Sequence, residues 1–128
     1  MPVKSLNSSI LKWPDKESVG NSLKKWISTI VTEHDNILQI ICIGSFARDD
    51  WGPGSDIDLI IVMQDNPYPF WQRPAQWDTA MLPVPAELRI YTLEEWEKTK
   101  NKNNRFWNVI LKEGIQVYPQ KPGSGFNS

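Results

Sequence analysis

One cysteine and one histidine in 128 residues leave little for sulfur or imidazole chemistry. A lone Cys42 excludes a disulfide framework within the chain and leaves too little sulfur for a Cys-based zinc site. A basic excess is also missing. The 14 Lys and Arg stand against 15 Asp and Glu, a net charge of −1, which argues against a nucleic-acid binder of the electrostatic kind. No apolar run nears the roughly 20 residues that span a bilayer. The first residues, MPVKSLNSSILKW, lack the apolar stretch of a secretory signal. The expectation is a cytoplasmic protein with no membrane association. Repeats and low-complexity blocks are absent, and the length favours one domain with one core. What the chain has in excess is tryptophan, seven residues of it.

Residues 1–14 show no period and read as an N-terminal arm ending at Trp13-Pro14. Asp15 can cap a helix running to about His34, since Val19, Leu23, Trp26, Ile27, Ile30 and Val31 form one helical stripe. Residues 37–43 (ILQIICI) are a short apolar run rich in β-branched residues, the pattern of a buried strand. Residues 56–63 repeat that character. The stretch 64–83 is a long, Pro-punctuated connection with one short helix expected to open at Pro74. Residues 84–91 read as a third strand, with Ala86, Leu88 and Ile90 alternating against Glu87, Arg89 and Tyr91. Thr92-Leu-Glu-Glu95 fits a capping box and starts a helix. Phe106, Trp107, Ile110 and Leu111 mark another helix, ended by Gly114, and 115–118 is an edge strand. The expected organisation is a domain over 15–118 and a flexible tail over 119–128. Its fold class is α/β (α+β), a small mixed β-sheet flanked by helices.

The chemistry concentrates in residues 44–62, GSFARDDWGPGSDIDLIIV. Gly44-Ser45 sits where a buried strand ends. Free backbone N–H groups and a small hydroxyl there can approach a phosphate without obstruction. Ten residues after Ser45, Ser55-Asp56-Ile57-Asp58 opens the next strand. Asp56 and Asp58 are i and i+2, so their carboxylates project from one face, about 7 Å apart at Cα. Two readings stand at this point. The acids are solvent-facing residues at a strand start, or hard-oxygen ligands for Mg²⁺ with a substrate completing the shell. Ile60 and Val62 follow on the same face, so the acids stand where an apolar face meets its rim, and desolvating them without a cation would be costly.

This stretch resembles the motif of the DNA polymerase beta-like nucleotidyltransferases, G-S, nine residues, then S-D-x-D. It is most similar to the minimal nucleotidyltransferases, while aminoglycoside nucleotidyltransferases share the spacing. Gly44, Ser45, Ala47, Arg48, Ser55, Asp56, Asp58 and Leu59 match, and the resemblance covers about residues 20–118. It implies a nucleotidyltransferase fold in which Gly44 and Ser45, with Arg48 and Ser55 beside them, hold the triphosphate of ATP or another NTP. Asp56 and Asp58 would bind two Mg²⁺ ions. Glu87 sits at the place of the third acid, as metal ligand and acceptor of the proton from the attacking hydroxyl. The implied reaction is in-line transfer of a nucleoside monophosphate, AMP from ATP, with pyrophosphate leaving. Two departures stand out: the family uses Asp where this chain has Glu87, and Gly where it has Asp49, followed by Asp50.

By resemblance, the expected acceptor is a hydroxyl of a small helical partner protein, as in a toxin–antitoxin pair whose toxin is of the HEPN type. A small-molecule acceptor, as in the aminoglycoside enzymes, would require further helices or a homo-oligomer to complete the pocket. An RNA acceptor is disfavoured because no basic stripe exists to hold phosphates. A second hypothesis is a catalytically weakened subunit that neutralises its partner by contact.

Other residues divide between roles. Arg48 is either a phosphate ligand or paired with Asp49, Asp50 or Asp56. Cys42 reads as packing and His34 as a solvated or capping residue, and Lys98, Lys100, Lys102 and Arg105 as a solvated basic face. Trp26, Trp96 and Trp107 fall on apolar helix stripes. Trp51 lies at the mouth of the proposed site, placed to stack on a base. Phe70, Trp71 and Trp77 read equally as core or as contact surface. Trp13 has no assigned role.

Overall fold

A computed structural model describes residues 13–102 and 104–120. The expected arm (apart from Trp13 and Pro14) and the expected tail (apart from Pro119 and Gln120) lie outside the described residues. The elements in chain order are α1 (Lys16–Glu33), β1 (Ile37–Ile43), a one-turn helix α2 (Ser45–Arg48) and β2 (Ile57–Met63). A 3₁₀ segment (Phe70–Gln76), β3 (Ala86–Thr92), α3 (Leu93–Lys102), α4 (Arg105–Glu113) and β4 (Ile115–Tyr118) follow. Among the described residues no helix is long and apolar enough to cross a membrane.

The local signals act as their chemistry dictates. Asp15 caps α1, its carboxylate accepting from the Ser18 N–H at 2.8 Å. The capping box closes reciprocally, the Thr92 N–H donating to Glu95 at 2.9 Å and the Glu95 N–H to Thr92 Oγ1 at 3.2 Å. Gly114 ends α4 with an ordinary negative φ of −66°. It must be glycine because a Cβ there would lie 2.6 Å from the Ile110 carbonyl oxygen.

The sheet runs β3-β2-β1-β4. β1 pairs antiparallel with β2 and with β4, whereas β2 pairs parallel with β3, so the sheet is mixed as expected. The central strands β1 and β2 are buried on both faces, which is why they read as apolar runs without alternation. One face packs Ile40, Cys42, Ile57, Leu59 and Ile61 against Val19, Leu23 and Trp26 of α1. The other packs Ile41, Ile43, Ile60 and Val62 against Trp96 of α3 and Ile110 of α4.

The long connection does not open its helix at Pro74. The 3₁₀ turn begins at Phe70 and carries Pro74 inside it. Its position is set by Arg73, which is only 4 % exposed. The guanidinium donates to the carbonyls of Tyr68 (2.7 Å) and Ile90 (2.8 Å) and grips Glu95 through both terminal nitrogens at 2.6 and 3.1 Å. The segment is thereby strapped against β3 and the start of α3. The aromatics of this connection divide accordingly. Trp77 turns inward, stacking on His34 at 4.4 Å and approaching Trp26 at 6.4 Å; His34 is thus a cap with an aromatic partner. Phe70 leans on Tyr91 at 5.2 Å, while Trp71 stands 77 % exposed. Trp26 and Trp96 are core residues, and Trp107 is half-buried against Trp96.

Arg73 also holds the Glu95 carboxyl below the usual carboxylate range, chiefly by its hydrogen bond. A depressed value means stability that is present above the unfolded pKa and lost as pH falls through the folded one. Arg73→Ala should therefore lower unfolding stability by about 2 kcal/mol at neutral pH, after allowance for solvent screening at the partly exposed Glu95. In urea unfolding the gap to the wild type should narrow in acid.

Candidate active site

The register of the sheet brings two of the three predicted acids, Asp58 and Glu87, together. Ile43, the last residue of β1, pairs with Asp58 on β2, and Asp58 pairs with Glu87 on β3. Asp58 and Glu87 are therefore lateral neighbours, about 4.8 Å apart in the strand-to-strand direction. They lie on the face that α3 and α4 cover farther along. Asp56 stands one residue before β2 begins and is exposed. Among the described residues, no three His, Cys, Asp or Glu side chains gather closely enough to hold a metal by themselves.

Gly44 closes the site on its other side. It has φ +82°, a conformation that favours glycine. A Cβ on it would collide with Asp58 Oδ2 and lie 3.3 Å from Asp58 Cγ. The small residue of the Gly-Ser turn thus exists for two reasons, backbone conformation and contact with a carboxylate. Ser45 opens α2, where the first turn leaves N–H groups without partners inside the helix.

Electrostatics mark Asp58 as the strained member. Its pKa is pushed up to about 6, first by burial, then by a hydrogen bond with Glu87 and by the negative charges of Asp56 and Glu87. Arg89 opposes this in part. In the bare chain the acids are relieved by a proton and, in part, by Arg89. A divalent cation would relieve them in the same way, and a substrate's phosphate oxygens would fill the positions that side chains leave open. The donor set of Asp56, Asp58 and Glu87 fits Mg²⁺ on that ground.

The two departures from the family pattern become intelligible. Asp49 takes φ +67°, which explains why glycine is usual there; Asp is among the side chains that tolerate it. Its carboxylate points outward to Lys16 Nζ at 2.8 Å and is 83 % exposed, so it does not oppose a phosphate at the turn. Asp50 is occupied by Arg48 Nε at 3.2 Å. Arg48 also reaches Glu113 at the end of α4, at 3.3 Å. Arg48 thus makes the expected pair with Asp50 and a further one with Glu113, which no local pattern signals.

Ser55 is engaged as a loop staple: its Oγ accepts from the Gly52 N–H at 3.1 Å and its own N–H donates to the Gly52 carbonyl at 3.0 Å. Two tryptophans fasten this loop from both sides. Trp13 Nε1 donates to the Ser55 carbonyl at 3.2 Å, and Trp51 Nε1 donates to the Pro14 carbonyl at 2.9 Å. Trp51 also meets Phe46 edge-on at 5.7 Å. Its indole N–H is thus engaged in fastening the loop. Sequence reasoning missed Trp13, whose only signal was an unexplained large aromatic before a proline. Cys42 is packing as expected, its thiol pushed up to about 12, chiefly by burial. Lys98 and Lys100 pair with Glu94 and Glu97 on the solvated face of α3. A cavity of about 670 Å³ lies elsewhere, between α1, α2 and β4, over Cys42, Phe46 and Val117, and it takes in none of the three acids.

Comparison with known proteins supplies a family and a fold. The family model described as "Nucleotidyltransferase domain" matches residues 24–120. Among solved structures, a crystal structure from Sulfolobus solfataricus, provisionally assigned as a nucleotidyltransferase, superposes with a TM-score of 0.59. It is 15 % identical and the match covers 85 % of this chain and 87 % of that one. No curated protein matches.

Two measurements test this geometry. Because the folded value of Asp58 lies above its unfolded one, its contribution is fully present below about pH 4 and is lost as pH rises through about 6. With a chelator present, Asp58→Asn should gain about 1 kcal/mol on the wild type between those pH limits, after allowance for solvent screening. Gly54 shares the positive φ, at +84°, but has open space around it. Gly44→Ala should therefore destabilise by about 2 kcal/mol more than Gly54→Ala in urea unfolding.

Proposed function

The chain belongs to the nucleotidyltransferase domain family, and from that premise we propose that it is an active Mg²⁺-dependent enzyme that moves AMP from ATP to a hydroxyl of a protein. The observation that carries this reading is the in-register pairing of Asp58 with Glu87 beside Gly44. Asp56 and Asp58 would hold the metal, and Glu87 would complete the set and take the proton of the attacking hydroxyl. Gly44 and Ser45 would orient the triphosphate. The bond from the acceptor oxygen to the α-phosphorus forms as the bond from that phosphorus to the β-phosphate bridging oxygen breaks, and pyrophosphate leaves. Mg²⁺, when bound, supplies neutralisation of the charge on the phosphate oxygens.

A protein acceptor follows from the family resemblance and agrees with two properties of the surface. The net charge of −1 disfavours an RNA acceptor. Tyr68, Phe70 and Trp71 are all exposed on the strapped connection, a patch of the kind that meets another protein. On this reading the acceptor is a small helical protein, and the pair forms a toxin–antitoxin system of the HEPN kind.

A second reading, a weakened subunit acting by contact, draws on Arg48 and Ser55. Both are engaged within the protein where the resemblance expects phosphate contacts. Incubation with labelled ATP, Mg²⁺ and either lysate or the product of the neighbouring reading frame separates the two. Label should appear on a protein and fall at least about a hundredfold in the Asp56→Asn, Asp58→Asn double variant. No label on any protein, with partner binding intact in that variant, would establish the contact reading instead.

A further inference from the structure

Arg89 is the anomaly of this site. It lies two residues after Glu87 on β3 and hence on the same face. Its Nη2 meets Glu87 Oε2 at 3.1 Å, and its guanidinium lies 5.4 Å from the centre of the Phe106 ring on α4. Nη1 is the one buried side-chain nitrogen or oxygen among the described residues without a hydrogen-bond partner. A buried, unpaired donor is a stability cost, and the Glu87 side chain is 56 % exposed, so the ion pair returns little of it. Apart from the contact with the Phe106 ring, fold stability therefore does not account for an arginine here.

The surrounding charge does. Arg89 stands beside Glu87 and acts on Asp58 against the repulsion of Asp56 and Glu87. Glu87 is one methylene longer than the Asp that the family resemblance expects. Its carboxylate meets the residue two positions farther along its own strand. We propose that Arg89 is a resident counter-cation of the acid site, which holds Glu87 in the metal-free protein and which a divalent ion must outcompete for it. Arg89 is thus a positioning residue that sets metal affinity. The Phe106 ring remains as its partner when Glu87 turns to the metal. The proposal rests on the reading of Asp56, Asp58 and Glu87 as metal ligands.

Mn²⁺ titration of the nucleotide-free protein tests it. Arg89→Met keeps the stem against Phe106 and removes the charge, and should tighten Mn²⁺ binding about fivefold at low salt. In a Glu87→Gln background the same change should yield less than half of that gain. Arg89→Gln serves the same test if Arg89→Met does not fold. Mn²⁺ binding that is lost in Asp58→Asn but unchanged or weaker in folded Arg89→Met or Arg89→Gln overturns this proposal alone. Binding that survives Asp58→Asn overturns the metal-ligand reading together with it.

Discussion

Carboxylates on neighbouring strands repel one another, and the acid site is arranged around that repulsion. Asp58 and Glu87 cannot move apart, because the strands that carry them are locked in register for the whole length of β2 and β3. The remainder of β2 is apolar and buried on both faces. A slip of one residue would send Leu59 and Ile61 to the wrong side and bring Asp58 into the core. The hydrophobic interior thus holds the charges in place although it touches them little. Nearby groups moderate the result, Arg89 from β3 and Gly44 by leaving room for the Asp58 carboxylate.

The polar anchors of the fold sit around this arrangement rather than within it. Arg73 bonds the Ile90 carbonyl and Glu95, fastening the long connection to β3 and to the first turn of α3. Arg48 ties α2 to the end of α4 through Glu113, and Lys16 ties the start of α1 to Asp49. Each links a segment near the Gly-Ser turn or β3 to an element distant in sequence. The site is therefore framed by side chains from nearly every part of the domain.

How much of this was legible in the sequence follows from the range of each interaction. The strands, the amphipathic stripe of α1, the Asp15 cap and the Thr92–Glu95 capping box are local patterns. Each was readable because the residues that decide it lie within a few positions. The pairing of Asp56 and Asp58 with Gly44-Ser45 was legible as a motif with fixed spacing, and Glu87 only through resemblance and strand order. Long-range partners were not legible. Arg73 and Glu95 are 22 residues apart, Trp51 and Pro14 37, and Arg48 and Glu113 65. No periodicity encodes such pairs. The 3₁₀ turn at Phe70 was misplaced for the same reason: Pro74 suggested a local start, whereas the anchoring of Arg73 decides where the segment lies.

The reciprocal Trp13 and Trp51 bonds have a consequence for what counts as one unit of this protein. The family match begins at residue 24, yet the loop leading into the first acid is buttoned to residues 13 and 14. The inherited module and the mechanical module have different borders. A relative could keep every residue of the Gly-Ser and Asp-x-Asp motif and still hold that loop by other means, or not hold it at all. In this chain the approach to Asp56 is stiffened by Trp13 and Pro14, which lie outside the family match.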